Sequence, residues 1–205
     1  MGTYEPLDIM GMSYGGWLAG LYALRFPQRV RKVVLLAPGG AVLRFSFAFF
    51  IRVMAVLLIR VPGANEDTFR RVLRWIFQDA VRSSEARCKY VEQDVAELLK
   101  AGRYFVLPKL VWPSAFDDDA WRRLRVPCLF MVGENEKIYS PKAAVERLHR
   151  LAPQVETEIV PGAGHDLVMV KPDDVVWRTL EFLERPIEHR GQEPDRAPGE
   201  ATLAS

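Results

Sequence analysis

The stretch Gly-Met-Ser-Tyr-Gly-Gly at residues 11–16 decides the fold of this chain. Residues 7–10 before it form a short apolar run that predicts a strand. Residues 14–26 after it have apolar residues near helical spacing, and Pro27 closes the predicted helix. A strand that passes through glycines directly into a helix is typical of a nucleophile elbow, a sharp turn that exposes a reactive side chain. We therefore predict a strand–turn–helix unit with Ser13 at the turn.

Ser13 is the predicted nucleophile of this elbow. The turn is expected to force the serine into a strained backbone conformation, and the small residues Gly11 and Gly15, which flank Met12 and Ser13, are expected to make room for it. The amino terminus of the following helix then faces the serine, so that the Tyr14 N–H can bind a developing oxyanion. An ordinary glycine turn is the alternative, but the flanking strand and helix and the third glycine favour the elbow.

Strands and helices alternate on both sides of a long helical stretch, which predicts an α/β fold with a mostly parallel sheet. Residues 32–37 form a buried strand without polar alternation, the mark of a parallel sheet covered on both faces. Further strands are predicted at residues 128–132 and 155–160, with a helix at 140–152 between them. On the last helix, from residue 172 to 184, the residues expected to be buried are Val176, Leu180 and Leu183.

Three kinds of segment make up the predicted domain organisation. Residues 1–40 and 124–185 are predicted to form the α/β core. Residues 41–123 contain no convincing strand but two apolar stripes at helical spacing, so they are predicted to be a helical insertion. Residues 186–205 are polar and rich in proline, glycine and glutamate, which predicts a disordered tail.

Two further loops follow strands and carry residues suited to catalysis. Residues 133–137, Gly-Glu-Asn-Glu-Lys, offer two carboxylates that could orient a histidine, and we favour Glu136 over Glu134. Residues 162–166, Gly-Ala-Gly-His-Asp, place His165 in a glycine-rich loop between a strand and a helix. A neutral imidazole there could accept the serine proton and later pass it to a leaving group.

The other polar candidates have simpler explanations. His149 lies on the polar side of a predicted helix and His189 lies in the tail, so neither is expected to act in catalysis. Asp166 is expected to be a turn or capping residue rather than the triad acid. The three aspartates at 117–119 are expected to begin a helix rather than to bind a metal. Nothing in the sequence gives reason to expect a metal or an organic cofactor.

The three loops together resemble those of the α/β-hydrolase superfamily. Gly-Met-Ser-Tyr-Gly-Gly, Val-Gly-Glu-Asn-Glu and Gly-Ala-Gly-His-Asp supply nucleophile, acid and histidine in that order, and the resemblance covers roughly residues 7–184. It implies a cap domain and a serine hydrolase, esterase-like or lipase-like, that cleaves carboxylic esters through an acyl-enzyme. Glutamate at position 136 differs from the aspartate that is commonest in the family.

Only twelve residues precede Ser13, whereas members of the superfamily have about four strands before the elbow. The resemblance therefore implies a partial α/β-hydrolase fold without the loop that supplies the second oxyanion donor. The strand at residues 7–10 is then expected to be an unpaired apolar edge, and such edges promote association. We expect either a truncated gene product or a homodimer that forms through this strand.

Composition narrows the partners and the compartment. The 205 residues include 28 basic and 26 acidic side chains, and a net charge of +2 gives no reason to expect a nucleic-acid partner. No signal peptide is visible, and arginines at 52 and 60 interrupt the most apolar stretch, so we expect no integral membrane association. Two cysteines, Cys88 and Cys128, make no disulfide framework, which favours a reducing compartment and a cytoplasmic location.

Three functions remain open from the sequence. The first is a serine esterase that acts on a small-molecule ester, with an apolar acyl or aromatic group bound by the cap. The second is a truncated, weakly active or non-catalytic remnant that acts as an interaction protein. The third is a cofactor-free haloperoxidase or an acyltransferase that uses the same triad. The cap residues expected to line a substrate pocket, unless they only pack the cap onto the sheet, are Phe45, Phe49 and Met54.

Overall fold

A computed structural model of the chain describes residues 5–58, 64–104 and 111–187. Within these ranges four strands form one sheet in the order β1-β2-β3-β4, and every neighbouring pair is parallel. The α/β class and the mostly parallel sheet predicted from the sequence are thus confirmed. The strands are β1 (Leu7–Met12), β2 (Val30–Leu36), β3 (Cys128–Gly133) and β4 (Glu156–Val160).

Helices in the described ranges connect or follow these strands, and those within residues 47–122 all lie between β2 and β3. A short 3-10 turn, Pro27–Arg29, precedes β2. The α-helices are α1 (Tyr14–Arg25), α2 (Phe47–Leu58), α3 (Ala64–Ile76), α4 (Gln78–Ser83), α5 (Glu85–Tyr104), α6 (Asp118–Arg122), α7 (Pro141–Leu151), α8 (Leu167–Val170) and α9 (Pro172–Glu184).

Both faces of the central strands are covered, which explains why β2 and β3 lack polar alternation. Val33 and Leu35 belong to a core cluster that includes residues of α1 and α7. Val34 and Leu36 point to the opposite face and belong to a second cluster with residues of α8 and α9. The sheet is therefore a middle layer between two helical layers, and its strand ends are left free to carry a site.

The segment 41–123 contains helices and no strand in its described part. Buried residues of α4 and α5, among them Ala80 and Val91, form a third cluster separate from the two clusters on the sheet. The two ends of the segment 41–123 pack differently, because Val42 and Trp121 are buried in the same cluster as residues of α1 and α7. The packing thus joins both ends of the segment to the sheet, while α4 and α5 build a further helical cluster that contacts α8.

The burial predicted on α9 was wrong for Val176 and Leu180, whereas the third predicted residue, Leu183, is half-buried against the second core cluster. Val175 and Phe182 are buried, whereas Val176 and Leu180 are 55% and 50% exposed. Two adjacent stripes of α9 are apolar, and the spacing alone cannot decide which of them meets the sheet. The exposed stripe lines a hollow beside β1 instead of the core.

The outer edge of β1 is open within the described part of the chain. Leu7 and Met10 are 70% and 60% exposed. An apolar hollow lies on each face of the strand, one lined by Val176 and other residues of α9 and one lined by Leu18 and other residues of α1. This is the unpaired apolar edge expected from the sequence.

No described helix is long and apolar enough to cross a membrane. Most of the predicted tail, residues 188–205 with His189, lies outside the described residues.

Candidate active site

Ser13 joins β1 to α1 with a left-handed backbone, φ 53° and ψ −119°. This confirms the strained conformation predicted for the elbow, since a non-glycine residue at positive φ is held there only by its surroundings. The Ser13 N–H donates to the Leu36 carbonyl at 2.9 Å, and the Ser13 carbonyl accepts from the Gly39 N–H at 2.9 Å. The end of β2 and the loop after it therefore fix the elbow in place.

Two glycines of the elbow are required by close packing, but they are not the expected pair. A Cβ on Gly11 would lie 2.2 Å from the Gly15 carbonyl oxygen, which confirms the need for glycine at position 11. A Cβ on Gly16 would lie 3.0 Å from the Gly11 oxygen and from Pro38. A Cβ on Gly15 would meet no atom within 4 Å, so the expected steric need at this position was wrong. Gly15 faces the hollow that residues of α1 line beside β1, and nothing in the described chain packs against it there.

The structure brings Ser13, His165 and Glu136 into one hydrogen-bonded path. His165 Nε2 lies 2.9 Å from Ser13 Oγ, and His165 Nδ1 lies 2.7 Å from Glu136 Oε2. Because a carboxylate only accepts, Nδ1 carries the proton and Nε2 is left to accept from the serine hydroxyl. The side chains of His165 and Glu136 are 4% and 0% exposed, so water competes little for these bonds.

Glu136 and Glu134, the two acids that the sequence left in competition, occupy different environments. Glu136 Oε1 accepts from the N–H groups of Lys137 and Ile138, both at 2.8 Å, which leaves Oε2 for the histidine. Glu134 is exposed and accepts from the Gly162 N–H at 3.1 Å. Glu134 thus ties the two loops together, while Glu136 contacts the imidazole.

The acid loop and the histidine loop touch through their backbones, a feature that sequence reasoning missed. A Cβ on Gly133 would lie 2.2 Å from the Gly164 carbonyl oxygen, so only glycine permits this approach. The Asn135 N–H donates to the Ala163 carbonyl at 2.8 Å. The glycines at the two strand ends were visible in the sequence, but their mutual contact was not.

Tyr14 stands at the first turn of α1, where backbone N–H groups have no acceptor within the helix. Its N–H is therefore suited to the predicted oxyanion contact. The neighbouring Gly39 N–H is already engaged by the Ser13 carbonyl and does not offer a second donor. The Tyr14 hydroxyl donates to the Val111 carbonyl at 3.1 Å, which links the elbow to the described segment before α6.

An aromatic ring, that of Phe45, borders the same loop residue, Gly39, as the serine hydroxyl. A Cβ on Gly39 would lie 3.7 Å from both Ser13 Oγ and the Phe45 ring. The Phe45 ring centroid is 4.9 Å from that of Phe49 and 5.3 Å from that of Trp112. Met54, the third predicted pocket residue, is half-buried farther along α2. Trp112, which contacts Phe45, was not singled out from the sequence, because a lone tryptophan between two prolines gives no signal of such a contact.

The residues expected to be unrelated to catalysis lie away from this path. His149 is exposed and its Nε2 lies 2.7 Å from Thr157 Oγ1. Asp117 begins α6 and accepts from the Ala120 N–H at 2.6 Å, which confirms the predicted helix start. Among the described residues, no group of three or more histidine, cysteine, aspartate or glutamate side chains is placed to hold a metal ion.

A parallel sheet between helical layers, with a serine on a strained strand-to-helix turn and a histidine–carboxylate pair on later strand ends, defines the α/β-hydrolase fold. The chain belongs to the alpha/beta hydrolase family, whose model matches residues 2–179.

Bacterial carboxylesterases are among its relatives. Carboxylesterase YbfK of Bacillus subtilis (strain 168) is 30% identical over 179 residues, which cover 87% of this chain and 58% of the relative. The crystal structure of carboxylesterase CesB (YbfK) from Bacillus subtilis matches with a TM-score of 0.73 and 27% identity, over 90% of this chain and 62% of that one.

The crystal structure of naproxen esterase from Bacillus subtilis matches with a TM-score of 0.70 and 27% identity, over 88% of this chain and 60% of that one. The chain thus spans about three fifths of the length of these relatives. This agrees with the partial α/β-hydrolase fold inferred from the sequence.

Proposed function

We propose that this chain carries the catalytic path of a carboxylic ester hydrolase, with Ser13 as nucleophile, His165 as general base and acid, and Glu136 as the acid that orients the histidine. The observation that carries the proposal is the pair of hydrogen bonds of 2.9 and 2.7 Å that joins the three side chains. The carboxylesterases among its relatives support an ester bond as the target.

Acylation follows from this geometry. As Ser13 Oγ attacks the ester carbonyl carbon, His165 Nε2 takes the hydroxyl proton, and the Glu136 carboxylate stabilises the imidazolium that forms. The carbonyl oxygen becomes an oxyanion, to which the Tyr14 N–H donates. When the C–O bond to the leaving alcohol breaks, the imidazolium returns the proton to the alkoxide. The acyl group stays on Ser13 as an ester.

Deacylation repeats the steps with water as the nucleophile. His165 removes a proton from the water as the water oxygen attacks the acyl carbon, and the same proton is then given to Ser13 Oγ as the acyl bond breaks. The products are a carboxylic acid and the free serine. The buried Glu136–His165 pair serves both halves of the reaction, because the imidazole is neutral at the start of each.

An apolar acyl or aromatic group is the proposed substrate feature. Phe45, which borders the same loop residue Gly39 as Ser13 Oγ and contacts Phe49 and Trp112, offers aromatic surface for a substituent of the ester. A naproxen esterase among the relatives supports a preference for aromatic groups.

Hydrolysis of nitrophenyl acetate, butyrate and an aryl-substituted ester, measured beside Ser13→Ala, tests the proposal. The wild type should release nitrophenol with saturation kinetics, and the variant should fall to the rate of buffer. Phe45→Ala should raise KM for the aryl ester more than for the acetate. Equal rates for wild type and Ser13→Ala would instead favour the interaction protein that the sequence left open.

We also propose that the open edge of β1 pairs with a second copy of the chain. A two-fold axis perpendicular to the sheet would pair the two strands antiparallel and cover the exposed Leu7 and Met10. The apolar hollows on both faces support this arrangement, because each would be covered by the partner's helices.

Sedimentation velocity tests the pairing. Met10→Lys should convert a concentration-dependent dimer into a monomer, since charge on an edge strand opposes pairing. Leu98→Lys, at an exposed leucine of α5, is the matched control and should leave the dimer intact. A wild-type protein that stays monomeric at the highest attainable concentration would overturn this proposal.

A further inference from the structure

Asp166, the residue after the histidine, is fully buried and makes bonds that the proposed reaction does not use. Its Oδ2 accepts from the Ala80 N–H at 2.6 Å, across 86 residues of sequence. Its Oδ1 accepts from the Gly164 N–H at 3.2 Å. One carboxylate therefore bonds the backbone on the amino-terminal side of His165 to the backbone of α4.

Helix α4 depends on this carboxylate because it has no side-chain cap of its own. Phe77 occupies the N-cap position and makes no side-chain hydrogen bond. Ala80 stands three residues later, and its N–H is the group that an N-cap side chain would normally satisfy. Asp166 stands at the N-cap of α8 but makes no capping bond there. Its side chain caps α4 instead of its own helix.

Two further contacts bind the start of α4 to the acid loop. The Lys137 ammonium donates to Gln78 Oε1. The Asn135 side-chain amide donates to Asp79 Oδ2 at 3.0 Å. Consecutive residues of α4 thus contact both loops that supply the histidine and its acid.

Packing reinforces the same connection on the far side of Asp166. Met169 and Val170 of α8 pack against the apolar cluster built by α4 and α5. The Phe77 ring centroid lies 6.3 Å from that of His165. A shift of α4 would therefore be transmitted to the histidine loop through backbone bonds as well as through side-chain packing.

We propose that Asp166 is a positioning residue, an inference that rests on the proposed function. Its carboxylate holds the loop that carries His165 against the amino-terminal end of α4. Removing this carboxylate should misplace the imidazole relative to Ser13 without removing any group that touches the ester. Since misplacements of about 1 Å can cost on the order of 100-fold in rate, the loss should appear in kcat.

The chemistry of the side chain favours a carboxylate over its isosteric amide. Each oxygen accepts one backbone N–H, and an amide would turn an NH2 donor toward one of those donors. Burial raises the pKa of Asp166, and the N–H bonds from Ala80 and Gly164 act against that rise. The fully buried carboxylate thus depends on the contacts that join the two segments.

Asp166→Asn is the direct test, with Asp173→Asn as the matched control at an exposed position of the first turn of α9. The Asn variant should lose about tenfold or more in kcat on a nitrophenyl ester, with KM within about threefold of wild type. The rate of labelling by a fluorophosphonate probe should fall in parallel. Unchanged kcat and labelling, with only a lower midpoint of thermal unfolding, would overturn the positioning role.

Hydrogen exchange tests the coupling without using activity. In Asp166→Asn, peptides that cover residues 162–168 and residues 77–84 should both exchange faster, and in Asp173→Asn neither should change. Asp79→Ala removes the bond between the start of α4 and Asn135, and it should also speed exchange at 162–168. Loss of protection confined to 77–84 would contradict the proposal even if the ester assay failed for wild type, so the two proposals fail in distinguishable ways.

Discussion

The two edge strands of the sheet present opposite surfaces. At β4, Arg178 of α9 bonds Glu156 at 2.6 Å and Glu158 at 3.0 Å, so that the edge carries paired charges. At β1, the exposed residues Leu7 and Met10 lie between two apolar hollows. Charged edges deter strand pairing and apolar edges invite it. The charged edge at β4 and the apolar edge at β1 thus differ in the way that the proposed pairing of β1 requires.

The candidate site spans this contrast. Glu136 and His165 follow β3 and β4, where the loops are joined to each other and to α4 by backbone and side-chain bonds. Ser13 follows β1, whose outer side is open. The hydrogen-bonded path from Ser13 to Glu136 therefore lies within the described residues, and among those residues β1 has a neighbouring strand on one side alone.

The largest effect should come from the loops after β3 and β4, which are bonded to each other and to α4. Glu136→Gln should lower kcat on the order of 10³–10⁴-fold, because an amide no longer stabilises the imidazolium or fixes its tautomer. Glu134→Gln, in the same loop, should cost at most a few-fold. Steady-state kinetics on one nitrophenyl ester measures both. Similar losses in the two variants would show that the loop, rather than the Glu136 carboxylate, is what matters.

Substitutions in the elbow at residues 11–15, which follows the open strand β1, should give the next largest effect. Gly11→Ala forces a Cβ to within 2.2 Å of the Gly15 carbonyl oxygen and should lower the free energy of unfolding by about 3 kcal/mol or more. Gly15→Ala faces the open hollow and should change it by less than about 1 kcal/mol. Urea denaturation followed by circular dichroism compares the two. A destabilising Gly15→Ala would show that the hollow is already filled.

Two adjacent valines on α9 compare the core with the open edge of β1. Val175→Ala removes methyl groups from the core and should lower the free energy of unfolding by about 2 kcal/mol. Val176→Ala, on the stripe beside β1, should have little effect on a monomer but should weaken a dimer that covers this hollow. The free energies of unfolding, measured at two protein concentrations, separate these cases. Equal losses at low concentration would contradict the observed orientation of α9.

The smallest effect should be the pH dependence of the β4 edge. Burial acts to raise the pKa of Glu156, but hydrogen bonds from Arg185 and Arg178 lower it below its ordinary value of 4.5. A carboxyl whose pKa is lowered on folding stabilises the protein above its unfolded-state pKa, and this stability is lost as the pH falls through the folded-state pKa.

Glu156→Gln should therefore lower the midpoint of thermal unfolding slightly at pH 7, and the difference from wild type should vanish as the pH falls through the lowered folded-state pKa of Glu156. The effect is below about 1 kcal/mol, because the side chain is partly exposed and salt screens it. Glu184→Gln, an exposed position on α9, is the control. A difference that persists at low pH would mean that Glu156 acts through packing instead of charge.

Local patterns predicted the parts of the site that depend on neighbours in sequence. The elbow at Ser13 needs only a strand, a glycine turn and a helix, all of which lie within about twenty residues. Glu136 and His165 were found because each follows a strand, and the carboxyl ends of parallel strands share one edge of the sheet.

Contacts between distant segments could not be predicted in the same way. The bond from Ala80 to Asp166 spans 86 residues, and no spacing rule marks it. The orientation of α9 depends on which of two apolar stripes the sheet accepts, and the freedom of Gly15 depends on what fills the hollow beside β1. Each of these is settled by tertiary packing, which periodicity does not encode.

Active-site labelling tests the central claim most directly, namely that Ser13, activated by His165 and Glu136, is a nucleophile. Wild-type protein, Ser13→Ala and His165→Ala are incubated with a fluorophosphonate, and intact mass and the modified peptide are determined by mass spectrometry. We expect one equivalent of fluorophosphonate on Ser13 in the wild type, none in Ser13→Ala and far slower labelling in His165→Ala. An unlabelled wild type, or labelling that is the same in all three proteins, would contradict it.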